Sequence, residues 1–239
     1  MEREIKFENP ALSGVQSAFR VLMRRVYLWM ALALAVTGLT AYYIASNPGL
    51  LQAVFTNRGL FWGVIIGELA LVFILSARIM RMSFATAGLM FAAYSVLNGV
   101  TMSFIFVAFT QESIATAFFI TAGMFAAMAF IGTVLKKDLS SFSSYFMMAL
   151  IGLIIASVVN IFWANSVLYW VITYVGVLLF VGLTVYDTQK IKAFLLQWGD
   201  EVNDNTQKLA LMGSLSLYLD FINLFLYILR IFGRCSSDN

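Results

Sequence analysis

Residues 209–232, LALMGSLSLYLDFINLFLYILRIF, form an apolar segment long enough to cross a bilayer, and the acidic residue Asp220 lies near its middle. A carboxylate at the bilayer centre costs roughly 2.5 to 3.5 kcal/mol on insertion scales, so we expect Asp220 to face protein or water and to have a function. Small and polar residues recur every three or four positions and therefore share one helix face with the acid. This polar stripe consists of Gly213, Ser216, Asp220, Asn223 and Tyr227.

The composition of the whole chain is typical of a polytopic membrane protein. Of its 239 residues, 62% are hydrophobic, 11% are charged and 2 are proline. The net charge of +3 comes from basic residues in short connections, which favours membrane topology over nucleic-acid binding. The sequence has no histidine and one cysteine, which excludes His-dependent hydrolases and His-ligated zinc or haem, so no cofactor is expected. Proton sensing would have to use carboxylates.

Seven apolar runs predict an all-α fold with seven transmembrane helices. The runs cover residues 26–45, 60–77, 84–109, 114–135, 145–163, 167–186 and 209–232. We predict a seven-helix transmembrane domain over residues 26–232. Residues 1–25 predict a basic cytoplasmic segment with an amphipathic helix at the membrane interface, and residues 233–239 form a short tail.

The distribution of basic residues predicts the orientation. Twelve of the 15 Lys and Arg residues lie on the N-terminal side of the predicted topology, and only Arg58, Arg230 and Arg234 lie on the other. The positive-inside rule therefore places the N-terminus in the cytoplasm and, after seven spans, the C-terminus outside.

Two patterns predict how the helices meet. Gly63 and Gly67 form a G-x-x-x-G pattern, which is typical of close helix contacts in membranes. The helical pattern of the sixth span continues past Asp187 to about Trp198, which predicts a helical extension beyond the membrane.

Two carboxylates are the strongest candidates for a functional site. If the extension brings Asp187 to Asp220, repulsion and burial would make the pair share one proton and titrate as a coupled unit. The pair would also attract divalent cations. Calcium takes six to eight oxygen ligands, so Ser216, Asn223, backbone carbonyls and water would have to complete the shell of a weak site.

Other ionisable residues leave alternatives open. Arg78 could form an ion pair with either aspartate and hold a pore shut, or it could, like Arg81, serve only as a determinant of topology. Glu68 is either part of the site or a hydrogen-bond partner for another helix. Asp187 taken alone is typical of a helix-end residue at the interface.

The last span resembles a known family. Residues 216–225, SLYLDFINLF, followed by Leu229-Arg230, resemble the signature helix of the transmembrane Bax inhibitor motif family, bacterial branch. Supporting matches include Gly67-Glu68, residues 75–79 in the second span and Tyr186-Asp187 with the residues to Ile191. The resemblance covers almost the whole chain beyond residue 20.

The resemblance implies six helices around the last one and a pH-sensitive calcium leak gated by a di-aspartyl pair. By motif position the pair would be Asp187 and Asp220, which bind the ion or the proton, and the latch would be Arg78 or the nearby Arg81. Its partners would be the lipid bilayer, calcium ions and protons, and its location would be the bacterial inner membrane.

Two other functions are alternatives to a leak. An intramembrane aspartyl protease also uses two aspartates on adjacent helices, but Leu217-Tyr218-Leu219-Asp220 has bulky residues where such proteases carry glycines. We therefore expect a protein that is not an enzyme. The second alternative, suggested by the family resemblance, is a non-conducting modulator of a membrane protease or of another membrane complex.

Overall fold

The computed structural model of the protein describes residues 10–135, 137–198 and 201–234, with side chains from residue 17 onwards. This part of the chain contains nine α-helices and no β-strand. The helices are α1 (Pro10–Ala45), α2 (Pro48–Thr56), α3 (Arg58–Arg78), α4 (Phe84–Met102), α5 (Ile105–Ala108), α6 (Gln111–Val134), α7 (Ser143–Trp163), α8 (Ser166–Trp198) and α9 (Asp204–Phe232).

Seven helical segments within the described residues are long and apolar enough to cross a membrane. They are Ser17–Ala45, Arg58–Arg81, Phe84–Ala108, Gln111–Val134, Ser140–Trp163, Ser166–Trp198 and Asp204–Phe232. Each contains or overlaps one of the seven predicted apolar runs. The predicted all-α, seven-span architecture is confirmed.

The last helix is the centre of the bundle. In the most apolar window of α9, 56% of the residues are buried, compared with 6% in α3 and in α7. Helices α1, α4, α6 and α8 pack directly on α9. The two outer helices are held mainly through neighbours, because α3 packs on α4 and α7 packs on α8.

The connections group into two ends of the bundle. We call the end that holds the α3–α4, α6–α7 and α8–α9 connections the basic end. Contacts tie these connections together, because the backbone N–H of Phe84 donates to Asp204 (3.4 Å) and Nζ of Lys208 donates to the carbonyl of Met80 (3.5 Å). At the opposite end, the N–H of Thr110 donates to the carbonyl of Arg234 (3.2 Å).

Helix α9 begins five residues before the apolar run, at Asp204. The reason is a capping box in which Oδ1 of Asn203 accepts from the N–H of Thr206 (3.0 Å) and Oγ1 of Thr206 accepts from the N–H of Asn203 (2.9 Å). Asp204 also forms an ion pair with Lys208 at 3.0 Å in the first turn. The polar residues before the run therefore belong to the helix.

Helix α8 continues to Trp198, so the predicted extension is confirmed. Its buried residues keep helical spacing past the apolar run, at Thr184, Thr188, Ile191 and Leu195. Ile191 and Leu195 belong to the same apolar core as residues of α1 and α9. The extension is stable because it continues to bury one face against neighbouring helices.

The N-terminal segment differs from the interfacial helix that its sequence predicts. Helix α1 runs without a break from Pro10 into the first span. Leu22 and Val26, on the predicted apolar face, are fully buried in the core with Leu195 and Leu211. The face that would lie on a membrane surface packs against the protein instead.

The predicted glycine contact is wrong at one position and weak at the other. A Cβ at Gly63 would meet nothing within 4 Å, and one at Gly67 would make ordinary contact with Leu97. The tightest approaches between spans lie elsewhere. At Gly99, for example, a Cβ would lie 2.7 Å from the carbonyl oxygen of Thr37. A G-x-x-x-G spacing does not identify its partner helix, and α3 is too peripheral to have close partners on that face.

Candidate functional site

Asp220 lies on the most buried helix of the bundle. Its side chain is 4% exposed, and within the described part of the chain its Oδ2 has no hydrogen-bond partner. The nearby amide of Asn223 is satisfied locally, because its Nδ2 donates to the carbonyl of Leu219 (2.8 Å). A buried carboxylate without a donor is costly unless a proton or a cation neutralises it.

Asp187 and Asp220 line the same cavity because α8 and α9 approach closely nearby. A Cβ at Gly213 would lie 3.0 Å from the side chain of Ile191, so the absence of a side chain lets the helices come together there. Asp187 lies one helical turn before Ile191, and Asp220 lies two turns after Gly213 on the antiparallel helix. Both carboxylates line one cavity, where their like charges repel each other.

Two cavities meet at the acidic pair. The larger, of about 560 Å³, lies between α7, α8 and α9 and is lined by both aspartates. The smaller, of about 180 Å³, lies toward the basic end beside Ser76, Phe194 and Leu209. Both cavities are lined by Asp187, Lys190, Ser216 and Leu219. The pair therefore lies where a path from the basic end would enter the membrane interior.

The candidate latch Arg78 is not brought to the pair. It lies at the end of α3 with an exposed side chain, forms no ion pair with a described residue and lines neither cavity. Arg81 is also exposed and at the same end. The basic residue beside the pair is Lys190, whose charge interacts favourably with Asp187.

Glu68 belongs to a different polar cluster, on the far side of α9. Its Oε1 accepts from Nδ2 of Asn98 (2.5 Å), and its Oε2 accepts from Oγ1 of Thr101 (3.2 Å). The cluster continues to Tyr218 on α9, whose hydroxyl pairs with Oγ1 of Thr37 on α1 (2.7 Å). Glu68 therefore links α3 to α4, as the structural alternative predicts, and does not line the acidic cavity.

Sequence reasoning missed two residues of α8 close to Asp187. Nζ of Lys190 lies 5.9 Å from the ring centroid of Tyr186 and 6.0 Å from that of Phe194. Gln189 fastens α8 to the α6–α7 connection, because its Oε1 accepts from the N–H of Leu139 (2.8 Å) and its Nε2 donates to the carbonyl of Lys137 (2.8 Å). The position of Lys190 one helical turn after Asp187 is the sequence signal that could have identified it as a neighbour of this carboxylate.

The family of the chain follows from its similarity to known proteins. The sequence profile of the family described as "Inhibitor of apoptosis-promoting Bax1" matches residues 19–237. The chain belongs to the Bax inhibitor family. The resemblance of the last span to this family is therefore confirmed, and the match includes all seven spans almost in full.

Several bacterial relatives of the family align with almost all of the chain. The Escherichia coli K12 protein "Inner membrane protein YbhL" is 45% identical over 219 residues, which cover 92% of this chain and 94% of the relative. An uncharacterized protein of Deinococcus radiodurans is 41% identical, covering 89% and 90%. An uncharacterized membrane protein of Streptococcus pyogenes serotype M1 is 37% identical, covering 92% and 94%. This Bax inhibitor family member is an integral, multi-pass membrane protein.

Proposed function

We propose that the protein is a pH-sensitive calcium leak of the bacterial inner membrane, gated by Asp187 and Asp220. The observation that supports this proposal is that Asp187 and Asp220 line one cavity between the helices, and that Asp187 also lines a second cavity toward the basic end. The inner-membrane location is favoured by the name of the Escherichia coli relative. The protein would act as a passive path for an ion rather than as an enzyme.

The pair responds to protons because two adjacent carboxylates in apolar surroundings resist being charged together. One shared proton relieves the repulsion, and a calcium ion relieves it as well. The two species therefore compete, so acidification should displace calcium and reduce its flux.

Calcium would be held weakly at this position. Two carboxylates supply at most four of the six to eight oxygens that calcium takes. Among the described residues no group of three or more His, Cys, Asp or Glu lies together. Ser216, Asn223, Tyr227, backbone carbonyls and water would have to supply the remaining oxygens, which suits an ion that passes through.

We propose a latch role for Arg78 only in a conformation that differs from the one described here. Arg78 could reach the pair only if the end of α3 moved toward α9, across the cavity that Ser76 lines. Such a closed form would add a cation to the acidic pair and exclude calcium. In the conformation described here, Lys190 is the basic group beside Asp187.

Calcium flux into liposomes that contain the purified full-length chain tests the proposal. We expect flux that decreases with acidification in the unmodified protein, and a loss of at least tenfold together with its pH dependence in Asp220→Asn and Asp187→Asn. Glu201→Gln, which alters an exposed acid outside the cavities, is the control and should retain the flux. Flux no greater than in empty liposomes, or equal flux in all variants, would reject the leak and favour the non-conducting modulator.

A further inference from the structure

The larger cavity has two walls of opposite character. The α7 wall is apolar except for Ser143 and Ser157, and no charged residue of α7 lines the cavity within the described chain. Its apolar members include Phe146, Met147, Leu150, Leu153, Ile154 and Val158. The α8–α9 wall carries the two aspartates, with Lys190 toward the basic end. Along most of the length of the cavity, such walls suit an amphipathic molecule better than a hydrated metal ion.

The apolar wall lies at the surface that faces lipid. Ile154 and Ile161 line the cavity and are 55% and 77% exposed. Because α7 packs on α8 and leaves a cleft beside α9, the cavity opens between these helices at the outer surface of the bundle, which we expect to face the hydrocarbon of the bilayer. A molecule dissolved in the membrane can therefore reach the acidic pair without crossing the aqueous path.

Aromatic rings complete the cavity. Phe146 and Tyr186 lie 5.5 Å apart between ring centroids, and Phe180 stacks on Tyr227 at 5.9 Å. All four rings line the cavity, on either side of the acidic pair. Aromatic faces attract cations, most strongly when the cation is desolvated. Tyr186 already lies near Nζ of Lys190, and the ring centroid of Tyr227 lies 5.2 Å from the guanidinium of Arg230. Phe146 and Phe180 are therefore the rings that can add to the attraction for a further cation.

We propose that this cleft binds hydrophobic organic cations that enter from the membrane. The positive centre would lie against Asp220, whose Oδ2 is buried and lacks a partner, and the apolar body would lie along α7. An organic cation neutralises the carboxylate and loses little hydration, and it fills an apolar wall that calcium cannot contact. The volume of about 560 Å³ is that of a site for a small organic molecule.

The charges that face the site determine where the cation lies. Asp220 faces it from α9, and Asp187 and Lys190 face it from α8. Because Lys190 repels a second cation, the bound molecule should lie on the Asp220 side of the pair, away from the basic end. Acidification should weaken binding, since a proton shared by the aspartates removes the charge that attracts the ligand. This site does not require that the protein conducts calcium.

Tetraphenylphosphonium, a hydrophobic cation without hydrogen-bonding groups, is the probe. Its binding to the purified full-length protein in detergent can be measured by equilibrium dialysis, with neutral triphenylphosphine oxide as the matched ligand. We expect saturable binding of the cation, little binding of the neutral compound, and at least tenfold weaker binding to Asp220→Asn.

A bulky substitution tests the role of the cleft separately from the role of the charged residues. Ile154→Trp places a large side chain in the cavity and should weaken binding at least tenfold, with both carboxylates intact. Ile155→Trp is the control, because Ile155 is equally exposed on α7 but does not line the cavity, and it should bind as the unmodified protein does.

Three results would overturn the proposal: non-saturable binding, equal binding of the neutral ligand, or equal affinity in Ile154→Trp and Ile155→Trp. If Asp220→Asn does not fold, Ile154→Trp and Asp187→Asn decide the question. Saturable binding without calcium flux would retain this site and reject the leak, whereas calcium flux without binding would reject only this site.

Discussion

At the residue scale, Asp220 is a buried carboxylate whose Oδ2 has no hydrogen-bond partner among the described residues. Its neighbours on the same helix do not neutralise it, since the amide of Asn223 is used by a backbone carbonyl. Asp187 on α8 repels it electrostatically, and Lys190 on the same helix acts on Asp187. The charge of the site therefore depends on three side chains, Asp187, Lys190 and Asp220, that only the packing of two helices brings together.

Lys190 and Arg78 can be distinguished by the pH dependence of calcium flux. Lys190 favours the charged form of Asp187, so Lys190→Gln should make protonation easier and move the midpoint of the flux profile to higher pH. An exposed charge interaction of about 0.2 to 1 kcal/mol corresponds to about 0.1 to 0.7 pH unit. Arg78→Gln should leave the flux profile unchanged if Arg78 stays away from the pair, and it should increase flux if Arg78 closes the pore in another conformation. A shifted midpoint in Arg78→Gln alone would contradict this assignment.

At the element scale, the position of α8 depends on close contacts at glycines. A Cβ at Gly132 on α6 would lie 2.6 Å from the carbonyl oxygen of Val185 and 2.9 Å from Cβ of Thr188. A Cβ at Gly176 on α8 would lie 2.6 Å from the ring of Tyr227. These contacts hold α8 on both sides of Asp187, so α6 and α9 together determine where this carboxylate lies.

The contact at Gly132 predicts a stability difference between two substitutions in one helix. Gly132→Ala must displace α8, and overpacking of this kind costs about 1 to 3 kcal/mol. Gly123→Ala is the matched control, because a Cβ at Gly123 on α6 would meet nothing within 4 Å. Heat unfolding in detergent, followed by tryptophan fluorescence, should show a lower midpoint for Gly132→Ala only. Equal midpoints would mean that α6 and α8 adjust freely.

At the scale of the whole molecule, the bundle separates its connections into two ends of different charge. The basic end holds Arg78, Arg81, Lys137, Lys192 and Lys208 among its described residues. The positive-inside rule therefore predicts that this end faces the cytoplasm. With that orientation, the smaller cavity opens toward the cytoplasm, and the acidic pair would respond to cytoplasmic pH.

Thiol labelling tests this orientation. In a Cys235→Ser background, Gln52→Cys lies on α2 at the opposite end and Asn205→Cys lies at the basic end; both positions are exposed. A membrane-impermeant maleimide applied to intact spheroplasts should label Gln52→Cys and should label Asn205→Cys only after permeabilisation. The reverse pattern would invert the topology and expose the acidic pair to the outer compartment.

Much of this structure could be predicted because it follows from local chemistry. The membrane class, the seven spans, the extension of α8 and the candidate carboxylates all come from the hydropathy, periodicity and charge of continuous segments. The predictions that differ from the structure concern contacts between segments. The amphipathic pattern of residues 15–26 shows that one helix face is apolar and must be shielded from water. It does not show whether lipid or protein shields that face. Likewise, Arg78 is a charged residue at the right depth with no sequence signal for its distance from Asp220.

By itself, the sequence determined that the chain crosses the membrane and that Asp220 lies too deep to face lipid, because both depend on the transfer of side chains from water to hydrocarbon. Only the tertiary structure decided that Asp187, Lys190 and Asp220 line one cavity, that Arg78 and Glu68 do not line it, and that the α7 wall of this cavity is mostly apolar. These outcomes depend on helix crossings at glycines such as Gly213. At such a crossing, the residues of both helices determine how closely the two backbones approach. The sequence of one helix does not specify which residues of another helix pack against it.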